Sequence, residues 1–271
     1  MKHHTKYKAI KEYIIKNNHF CYVHDDNLYA IEYPSLKNEP EIIEPGIKWF
    51  EIMDSGEVAL LYDNKVVIND GCEFPISRGF KVSTYKGNIA VFSPHCITYI
   101  SKHKEITITR EVNGTITDGC ISPKSGWLHY VMDGDFYATL YLSNHIKKAT
   151  LPYKLYKLQY TVPLFDNGFV VDNAFIKVHR RPTYVANYKH TIAFIDDAIY
   201  YFKVLKNRIV YSKITEGICG MYVCTKDNMV ILHCDNGEIG GMLFDEFDDL
   251  KNSGNIIIPN NEMEKVYNQQ M

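Results

Sequence analysis

One short pattern recurs along the whole chain and constrains its fold more than any other feature. An apolar run is followed by a short polar break, and a second apolar run follows at once. Six of the seven breaks contain Asp followed by Asp, Asn or Gly, whereas the third contains Ser-Pro-His. The seven copies are CYVHDDNLYAI (21–31), ALLYDNKVVI (59–68), AVFSPHCITYI (90–100), LHYVMDGDFYATL (128–140), GFVVDNAFIKV (168–178), AFIDDAIYYF (193–202) and VILHCDNGEIGGMLF (230–244).

The apolar runs predict strands, and the breaks predict hairpin turns. The runs are short and rich in Val, Ile, Tyr and Phe, which are the side chains that favour strands. Asp-Asn and Asp-Gly tolerate the positive φ angles of tight turns. The carboxylates of Asp196 and Asp197 are therefore predicted to form a turn, with cation binding or catalysis as the alternative.

The spacing of the breaks predicts an all-β fold, a β-propeller of about seven small blades. The steps are 37, 31, 39, 39, 25 and 38 residues, counted between Asp26, Asp63, Pro94, Asp133, Asp172, Asp197 and Asp235. Four-stranded propeller blades repeat at roughly 40 residues. The 25-residue step has room for one strand where two are needed. A reduced blade or a six-bladed ring with an inserted hairpin is therefore an alternative, and a pair of β-sandwiches is the competing fold.

Further segments are predicted to complete the blades. Strands are expected before the hairpins at KWFEIM (48–53), GFKVSTY (79–85), TITDGCI (115–121), LYKLQYTV (155–162) and GICGMYV (217–223). Outer strands are expected at EITITREV (105–112) and RIVYSKI (208–214). No strand is predicted before the first hairpin, and NSGNIIIP (252–259) is assigned to the seventh unit. No strand then remains to close the ring by pairing the two chain ends.

One segment, DDNLYAIEYPSLKNEPEII (25–43), resembles blades of the PQQ-like and related propeller families. In those families an apolar strand, an Asp/Gly turn and an LYAID-like strand recur. The resemblance covers residues 20–258 and implies a propeller architecture. The Trp and Gly signature of a strict PQQ repeat is absent, with only Trp49 and Trp127 in the chain. No cofactor residues can be carried over, and no cofactor is expected.

The two ends of the chain differ from its body. Residues 1–18 are basic and place apolar side chains at helical spacing, which predicts a short basic amphipathic helix or arm. Residues 19–259 form the predicted propeller, and residues 260–271 form a polar tail after the acidic segment FDEFDDL (244–250). We expect the arm to pack on its own domain or to dock on a second copy or an acidic partner. Its candidate binding residues are Lys6, Tyr7, Lys8, Ile10, Lys11 and Ile14.

The charge balance argues against a nucleic-acid partner. The chain has 30 basic and 32 acidic side chains and a formal net charge of −2, which does not suit a broad phosphate-binding face. HRRP (179–182) is among the densest basic stretches in the body of the chain, and it follows a predicted strand. His179, Arg180 and Arg181 therefore form a candidate interaction loop. No apolar run reaches the roughly 18 to 20 residues that span a bilayer, so no membrane association is expected.

Cysteine usage predicts a reducing environment. The seven cysteines are an odd number and are spread along the chain, which indicates reduced thiols and a cytoplasmic or virion-associated protein. Cys219, Cys224, His233 and Cys234 are the best zinc candidates. Neighbouring residues of a strand point to opposite faces, so His233 and Cys234 could not easily reach one ion. No metal site is expected.

No motif of nucleophilic catalysis or nucleotide binding is present in the sequence. The prediction is therefore a non-enzymatic interaction or structural module, a subunit of a larger assembly whose partners are proteins or copies of itself. A virion component is the preferred version, by analogy with propeller domains in phage tail and nozzle proteins. The alternative is a hydrolase or lyase at the mouth of the channel, using turn carboxylates with His24, His129 or His179. A small-molecule or peptide sensor is the third hypothesis.

Overall fold

In the computed structural model the described secondary structure is almost entirely β-strand, joined by turns and short connections. The described residues are 13–16, 18–36, 38–68, 71–101, 106–122, 126–140, 146–149, 151, 153–159, 162–171, 174–187, 191–205, 208–224, 227–236, 238–244 and 255–257. No α-helix occurs within these ranges. Nor does any helix there have the length and apolar character needed to span a membrane.

The strands form seven antiparallel sheets, in each of which strands that are consecutive in the chain pair side by side. Blades 1 to 3 contain β1 (Tyr13–Lys16), β2 (His19–His24), β3 (Asn27–Glu32), β4 (Glu41–Pro45); β5 (Trp49–Ile52), β6 (Val58–Leu61), β7 (Lys65–Ile68), β8 (Glu73–Pro75); and β9 (Lys81–Tyr85), β10 (Asn88–Phe92), β11 (Cys96–Ile100), β12 (Thr107–Glu111).

The second half of the chain continues the same arrangement. Blades 4 to 6 contain β13 (Ile116–Ile121), β14 (Leu128–Met132), β15 (Asp135–Thr139), β16 (Ile146–Ala149); β17 (Leu155–Gln159), β18 (Val162–Phe165), β19 (Gly168–Val171), β20 (Ala174–Lys177); and β21 (Pro182–Asn187), β22 (Thr191–Ile195), β23 (Ala198–Leu205), β24 (Arg208–Glu216). Blade 7 contains β25 (Ile218–Cys224), β26 (Met229–Cys234) and β27 (Ile239–Leu243), and β28 (Asn255–Ile257) adds to the outer edge of blade 6.

The seven sheets are the blades of one ring. First strands of neighbouring blades contact each other, as β5 contacts β9 and β13 contacts β17, so the first strand of a blade is its innermost strand. Apolar side chains fill the space between consecutive blades. Between blades 3 and 4, for example, Phe92, Ile97 and Tyr130 pack together and are all buried. The predicted seven-bladed, all-β propeller is confirmed, and the six-bladed alternative is wrong.

Burial follows the position of each strand in its blade. β11 is buried on both faces because it lies in the middle of blade 3, between two neighbouring blades. β12 is the outer strand of the same blade and alternates exposed with half-buried residues, as predicted for a half-exposed edge.

The predicted hairpin turns lie between the second and third strands of six blades. Asp26, Asp133 and Asp196 have φ angles of 59°, 54° and 64°, which Asp adopts at lower cost than most residues. Across the turn in blade 6, Ile195 pairs with Ala198 and encloses Asp196 and the residue that follows it. These aspartates are turn formers, as predicted.

The fifth predicted hairpin is present, since Val171 pairs with Ala174, but it joins the third and fourth strands of blade 5 and not the second and third. In blade 5 the second and third strands meet at Asp166-Asn167, whereas the predicted Asp172 lies outside the described residues. Counted from Asp133 to Asp166 and from Asp166 to Asp197, the steps are 33 and 31 residues instead of 39 and 25. The short step therefore disappears, and blade 5 has four strands like its neighbours.

The N-terminal strand corrects two predictions. β1 is the first strand of blade 1 and pairs with β2, with Ile14 opposite Cys21. The first hairpin therefore does have a preceding strand, and the predicted helix does not extend over residues 13–16. The tail at 260–271 and the rest of the predicted arm lie outside the described residues, including Lys6, Tyr7, Lys8, Ile10 and Lys11.

The C-terminal strand corrects a third prediction. β28 pairs with β24, with Asn255 opposite Tyr211, so it belongs to blade 6 and not to the seventh unit. Within the described residues no strand links blades 1 and 7. Side chains join them instead. The rings of Phe20 and Tyr222 have centroids 5.8 Å apart, and the Tyr33 hydroxyl donates to Asp227 Oδ2 at 2.8 Å.

Candidate functional site

One face of the ring carries both the turns between second and third strands and the connectors between blades. We call it the turn face. In blade 4, the Asp133 N–H donates to the carbonyl of Thr115 at 3.2 Å, and the Leu155 N–H of blade 5 donates to the carbonyl of Gly134 at 3.0 Å. The same two bonds recur at blade 7, where the Asp235 N–H donates to the carbonyl of Gly217 and the Ile218 N–H donates to the carbonyl of Asp197 in the turn of blade 6. The turn face is thus held together by backbone hydrogen bonds between turns and connectors.

The predicted interaction loop lies on this face, in the connector between blades 5 and 6. His179, Arg180 and Arg181 follow β20, and all three are exposed. Arg181 Nη2 lies 2.5 Å from Asp166 Oδ1, in the turn of blade 5. Arg180 forms an ion pair with Asp196, in the turn of blade 6. The two arginines therefore link the acidic turns of two neighbouring blades.

Arg181 and Arg180 differ in what they contact. The Arg181 guanidinium lies over the Tyr156 ring, 4.8 Å from its centroid, and so makes a cation–π contact as well as its ion pair. Burial raises the pKa of Tyr156 above its ordinary value, although Arg181 opposes that shift, and the phenol stays neutral. Arg180 is 68% exposed. Arg181 is thus engaged by two groups of blade 5, Asp166 and Tyr156. Arg180 is the more accessible of the two arginines.

A cleft of about 790 Å³ opens beside this connector. One wall is the end of β20 with the connector, and the other wall is formed by β23 and β24. Asp196 and Asp197 lie at its end on the turn face, and Ile195 is buried at its base. The structure therefore brings the predicted His179 and Arg180 together with the acidic turn of the next blade.

The floor of the cleft is aromatic. Tyr200 and Phe202 lie two residues apart on β23 and so share one face of blade 6. Tyr211 on β24 is opposite Phe202, and their rings stack with centroids 5.6 Å apart. Phe202 in turn meets Phe169 of blade 5 edge to face at 5.3 Å. These rings belong to the apolar layer between blades 5 and 6, and at its outer end Tyr200 and Tyr211 are half-buried and partly exposed to solvent.

The rim of the cleft carries charges of both signs. Lys177 and Lys213 are exposed on opposite walls, and Lys213 forms an ion pair with Glu216. That hydrogen bond raises the pKa of Lys213 and lowers the pKa of Glu216, so both stay charged. Tyrosine and arginine around an apolar floor, with a charged rim, are the composition typical of protein interfaces.

The histidines of the predicted enzymatic site do not come together. His24 is buried in blade 1, where its Nε2 lies 3.4 Å from Asp25 Oδ2. His129 lies on β14 of blade 4 and packs edge-on against Phe136 at 5.2 Å, and burial lowers its pKa. His179 lies in the connector between blades 5 and 6. The three imidazoles thus belong to three separate parts of the ring.

Among the zinc candidates, Cys219 lies beside the backbone of His233 and Cys234. The Cys219 thiol approaches the backbone carbonyl of His233 at 3.4 Å, and the Cys224 thiol approaches Asp227 Oδ2 at 3.1 Å. Across the described residues no three His, Cys, Asp or Glu side chains are grouped as metal ligands would be. All seven cysteines are free thiols.

Sequence reasoning missed a buried polar cluster on the inner strands. Lys81 of blade 3 pairs with Asp118 of blade 4 at 2.7 Å, and Asp118 Oδ2 accepts a bond from the Leu158 N–H of blade 5 at 2.5 Å. Glu51 of blade 2 accepts bonds from the Thr84 N–H at 2.9 Å and the Thr84 hydroxyl at 3.2 Å. The only signal was a charge inside otherwise apolar first strands.

This cluster links the inner strands of four blades. Burial raises the pKa of Glu51 to about 7, although the bond from Thr84 and the nearby Lys81 charge oppose that shift. Burial also raises the pKa of Cys120 to about 11. The cluster therefore acts as a polar link between blades, since its groups are occupied by one another.

Sequence comparisons identify no relatives, because no protein-family model and no curated protein matches the chain. Solved structures do match in fold. One is the extracellular domain of BT4673 from B. thetaiotaomicron, with a TM-score of 0.65 and 9% identity, over 88% of this chain and 38% of that one. The chain thus spans less than half of that structure's length.

Two shorter structures match over most of their own length. The Pan2 WD40 domain of Neurospora crassa has a TM-score of 0.59 and 10% identity, over 89% of both chains. A chain of the mitotic checkpoint complex has a TM-score of 0.59 and 9% identity, over 83% of this chain and 87% of that one. At such identities the likeness shows the fold alone, and it agrees with the propeller described above.

Proposed function

We propose that the protein is a non-enzymatic interaction module and a subunit of a larger assembly. We further propose that the cleft between blades 5 and 6 receives a segment of a partner protein. The observation that carries this proposal is the aromatic floor of Tyr200, Phe202 and Tyr211 beside the exposed Arg180.

The composition of the cleft supports a polypeptide ligand. Tyrosine and arginine are over-represented among the side chains that dominate binding free energy at protein interfaces. Tyr200 and Tyr211 are already held in place by ring contacts with centroids 6.1 Å apart, so binding would cost little side-chain entropy. Arg180 can donate to backbone carbonyls or carboxylates of the ligand while its pairing with Asp196 keeps it beside the cleft.

The fold neighbours support protein partners as a class. One neighbour is a chain of the mitotic checkpoint complex, and another is a WD40 domain. The narrower hypothesis of a virion component rests on the analogy with tail and nozzle propellers. A reducing compartment is supported by the seven free thiols, and we keep it as a proposal.

The test is a selection of peptides against the full chain. A phage-displayed library of random peptides is panned on the wild-type protein, and the selected peptides are measured by fluorescence anisotropy. We expect Tyr200→Ala and Arg180→Ala each to weaken binding about tenfold, equivalent to roughly 1.4 kcal/mol. The control is Tyr137→Ala, because Tyr137 is also the third residue of a third strand, in blade 4. Peptides that bind all three variants like wild type would refute the cleft as the site.

The predicted basic arm stays a second candidate binding element. Its proposed contacts come from Lys6, Lys8 and Lys11 with Tyr7 and Ile10. Since residues 13–16 are strand β1, a truncation that tests the arm must remove residues 1–12 and keep the strand. We expect the shortened chain to fold as wild type and to lose affinity for an acidic partner. Unchanged binding would show that the arm does not take part.

A further inference from the structure

The outer strand of blade 1 exposes two large apolar side chains. Ile42 and Ile43 of β4 are 58% and 55% exposed, the highest values among the large apolar residues described. The register of β4 against β3 shifts between Glu44 and Ile42, so Ile43 is the extra residue of a bulge. Glu41 is exposed beside them and Glu44 is half-buried. β4 is thus an apolar edge whose charged side chains are all negative.

The outer strand of blade 4 has the opposite charge. Ile146 of β16 is 44% exposed, and Lys147 and Lys148 follow it, both exposed. Lys147 lies over the Trp127 ring at 4.8 Å, and Lys148 Nζ lies 2.7 Å from Asp135. Both ammonium groups are therefore held beside the strand. β16 is an apolar edge whose charged side chains are all positive.

Three of the other outer strands differ from β4 and β16. β8 has only three residues. β24 is covered at Ile209, Val210 and Tyr211 by β28. β12 carries charges of both signs within a Thr-rich strand. β4 and β16 each combine exposed isoleucine with charges of one sign.

We propose that copies of this chain assemble edge to edge, with β4 of one copy pairing with β16 of the next. Opposite charges on facing strands stabilise a β-pairing, and like charges destabilise it. β4 against β4 would oppose Glu to Glu, and β16 against β16 would oppose Lys to Lys. The charges therefore select the unlike pairing and disfavour the two like pairings. This inference goes beyond the proposed function and does not use the cleft.

The positions of the two edges determine the kind of assembly. Blades 1 and 4 are separated by two blades on one side of the ring and three on the other, so their edges point in nearly opposite directions. Because the contact joins unlike surfaces, any linear row of copies has an unpaired β4 at one end and an unpaired β16 at the other. Such heterologous contacts add further copies until a ring closes or a filament forms. The assembly would therefore not stop at a dimer.

The test is the mass of the full chain in solution, measured by light scattering over a range of protein and salt concentrations. We expect the mean mass to exceed one copy, to rise with protein concentration and to fall as salt screens the charges. A single-copy mass for the wild-type chain at every concentration would overturn the proposal.

Charge reversal makes the test specific. Glu41→Lys/Glu44→Lys gives a chain with positive charge on both edges, and Lys147→Glu/Lys148→Glu gives one with negative charge on both. Each variant alone should be a single copy, whereas an equimolar mixture should assemble again. The control is Glu73→Lys/Glu111→Lys, which makes the same charge change on the outer strands of blades 2 and 3 and should assemble like wild type.

Two further measurements separate folding and the cleft from assembly. Circular dichroism checks whether Lys147→Glu/Lys148→Glu is folded. If it is unfolded, Lys147→Glu alone replaces it, because Lys148 is the lysine paired with Asp135. Tyr200→Ala should assemble like wild type, so loss of cleft binding and loss of assembly are distinguishable. Assembly of each charge variant alone to the wild-type mass, or a mixture that stays at single-copy mass, would overturn the proposal.

Discussion

Replacing Glu51 with glutamine should remove one component of the pH dependence of the protein's stability. Glu51 lies on the innermost strand of blade 2, and its Oε1 accepts two bonds from Thr84 of blade 3. Glutamine has nearly the same shape and retains a carbonyl oxygen for these bonds. The substitution therefore removes the titration and keeps the contact between the two blades.

The magnitude follows from the shift in pKa. Burial raises the pKa of Glu51 from 4.5 to about 7, and one pKa unit corresponds to about 1.4 kcal/mol. Because the folded-state pKa is the higher one, the stabilisation is fully present below about pH 4.5 and is lost as the pH rises through about 7. Between about pH 5 and pH 8, the wild-type chain should lose roughly 2.5 kcal/mol that the glutamine variant retains.

The assay is urea unfolding of both chains across this pH range, followed by intrinsic fluorescence. The quantity of interest is the difference between the two free energies of unfolding at each pH, since all other titrating groups are shared. The control is Glu73→Gln, which makes the same chemical change at an exposed position of the same blade. A difference between wild type and Glu51→Gln that stays constant from pH 5 to pH 8 would refute the reasoning.

Two other substitutions test the packing between blades and the stability of the protein in acid. Gly119→Ala should destabilise the protein by about 1 to 3 kcal/mol, because the added Cβ would lie 2.3 Å from the Phe92 ring between blades 3 and 4. The control is Gly240→Ala, where an added Cβ would have no neighbouring atom within 4 Å. In the same urea assay it should lower the free energy of unfolding much less. Burial, with the nearby His24, lowers the pKa of His233 to about 4, so stability present above about pH 6.5 is lost as the pH falls toward 4. His233→Phe should remove about 3 kcal/mol of that acid loss, and equal acid unfolding of both chains would contradict it.

The repeat could be predicted from the sequence because each blade contains the same local pattern of strand, turn and strand. A short apolar strand, an Asp-containing turn and a second strand are local features, and the turn residues carry a backbone preference of their own. The error in blade 5 arose where LFDNGFVVDNAF offers two Asp-Asn breaks around one strand. Both breaks satisfy the same local preference, and only the pairing of whole strands shows that Asp166 belongs to the middle hairpin.

The two ends of the chain were harder to predict because their structure depends on distant partners. Tyr13 and Ile14 fit a helical stripe in isolation, yet they form β1 because β2 offers a full edge of backbone partners. Residues 255–257 were correctly seen as a strand, but their partner is β24 of blade 6. Nothing local to a segment indicates which open edge in the molecule it will cover.

The candidate site was only half predictable for a related reason. Arg180 and its neighbours stand out as a basic stretch in a connector. Tyr200 and Tyr211 look like ordinary strand residues, since the sequence does not show which face of blade 6 opens to solvent. Glu51 was missed as well, because a single carboxylate in an apolar strand gives no sign of the inner-strand cluster that receives it.

A photo-cross-linking experiment tests the central claim, that a partner protein occupies the cleft between blades 5 and 6. Benzoylphenylalanine replaces Tyr200 in one chain and Tyr137 of blade 4 in another, and each is expressed in cells that naturally make the protein. The two positions are equivalent in their blades, and both are half-buried. We predict a discrete protein adduct on irradiation at position 200 and none at position 137. No adduct at position 200, or the same adduct at both positions, would contradict the account.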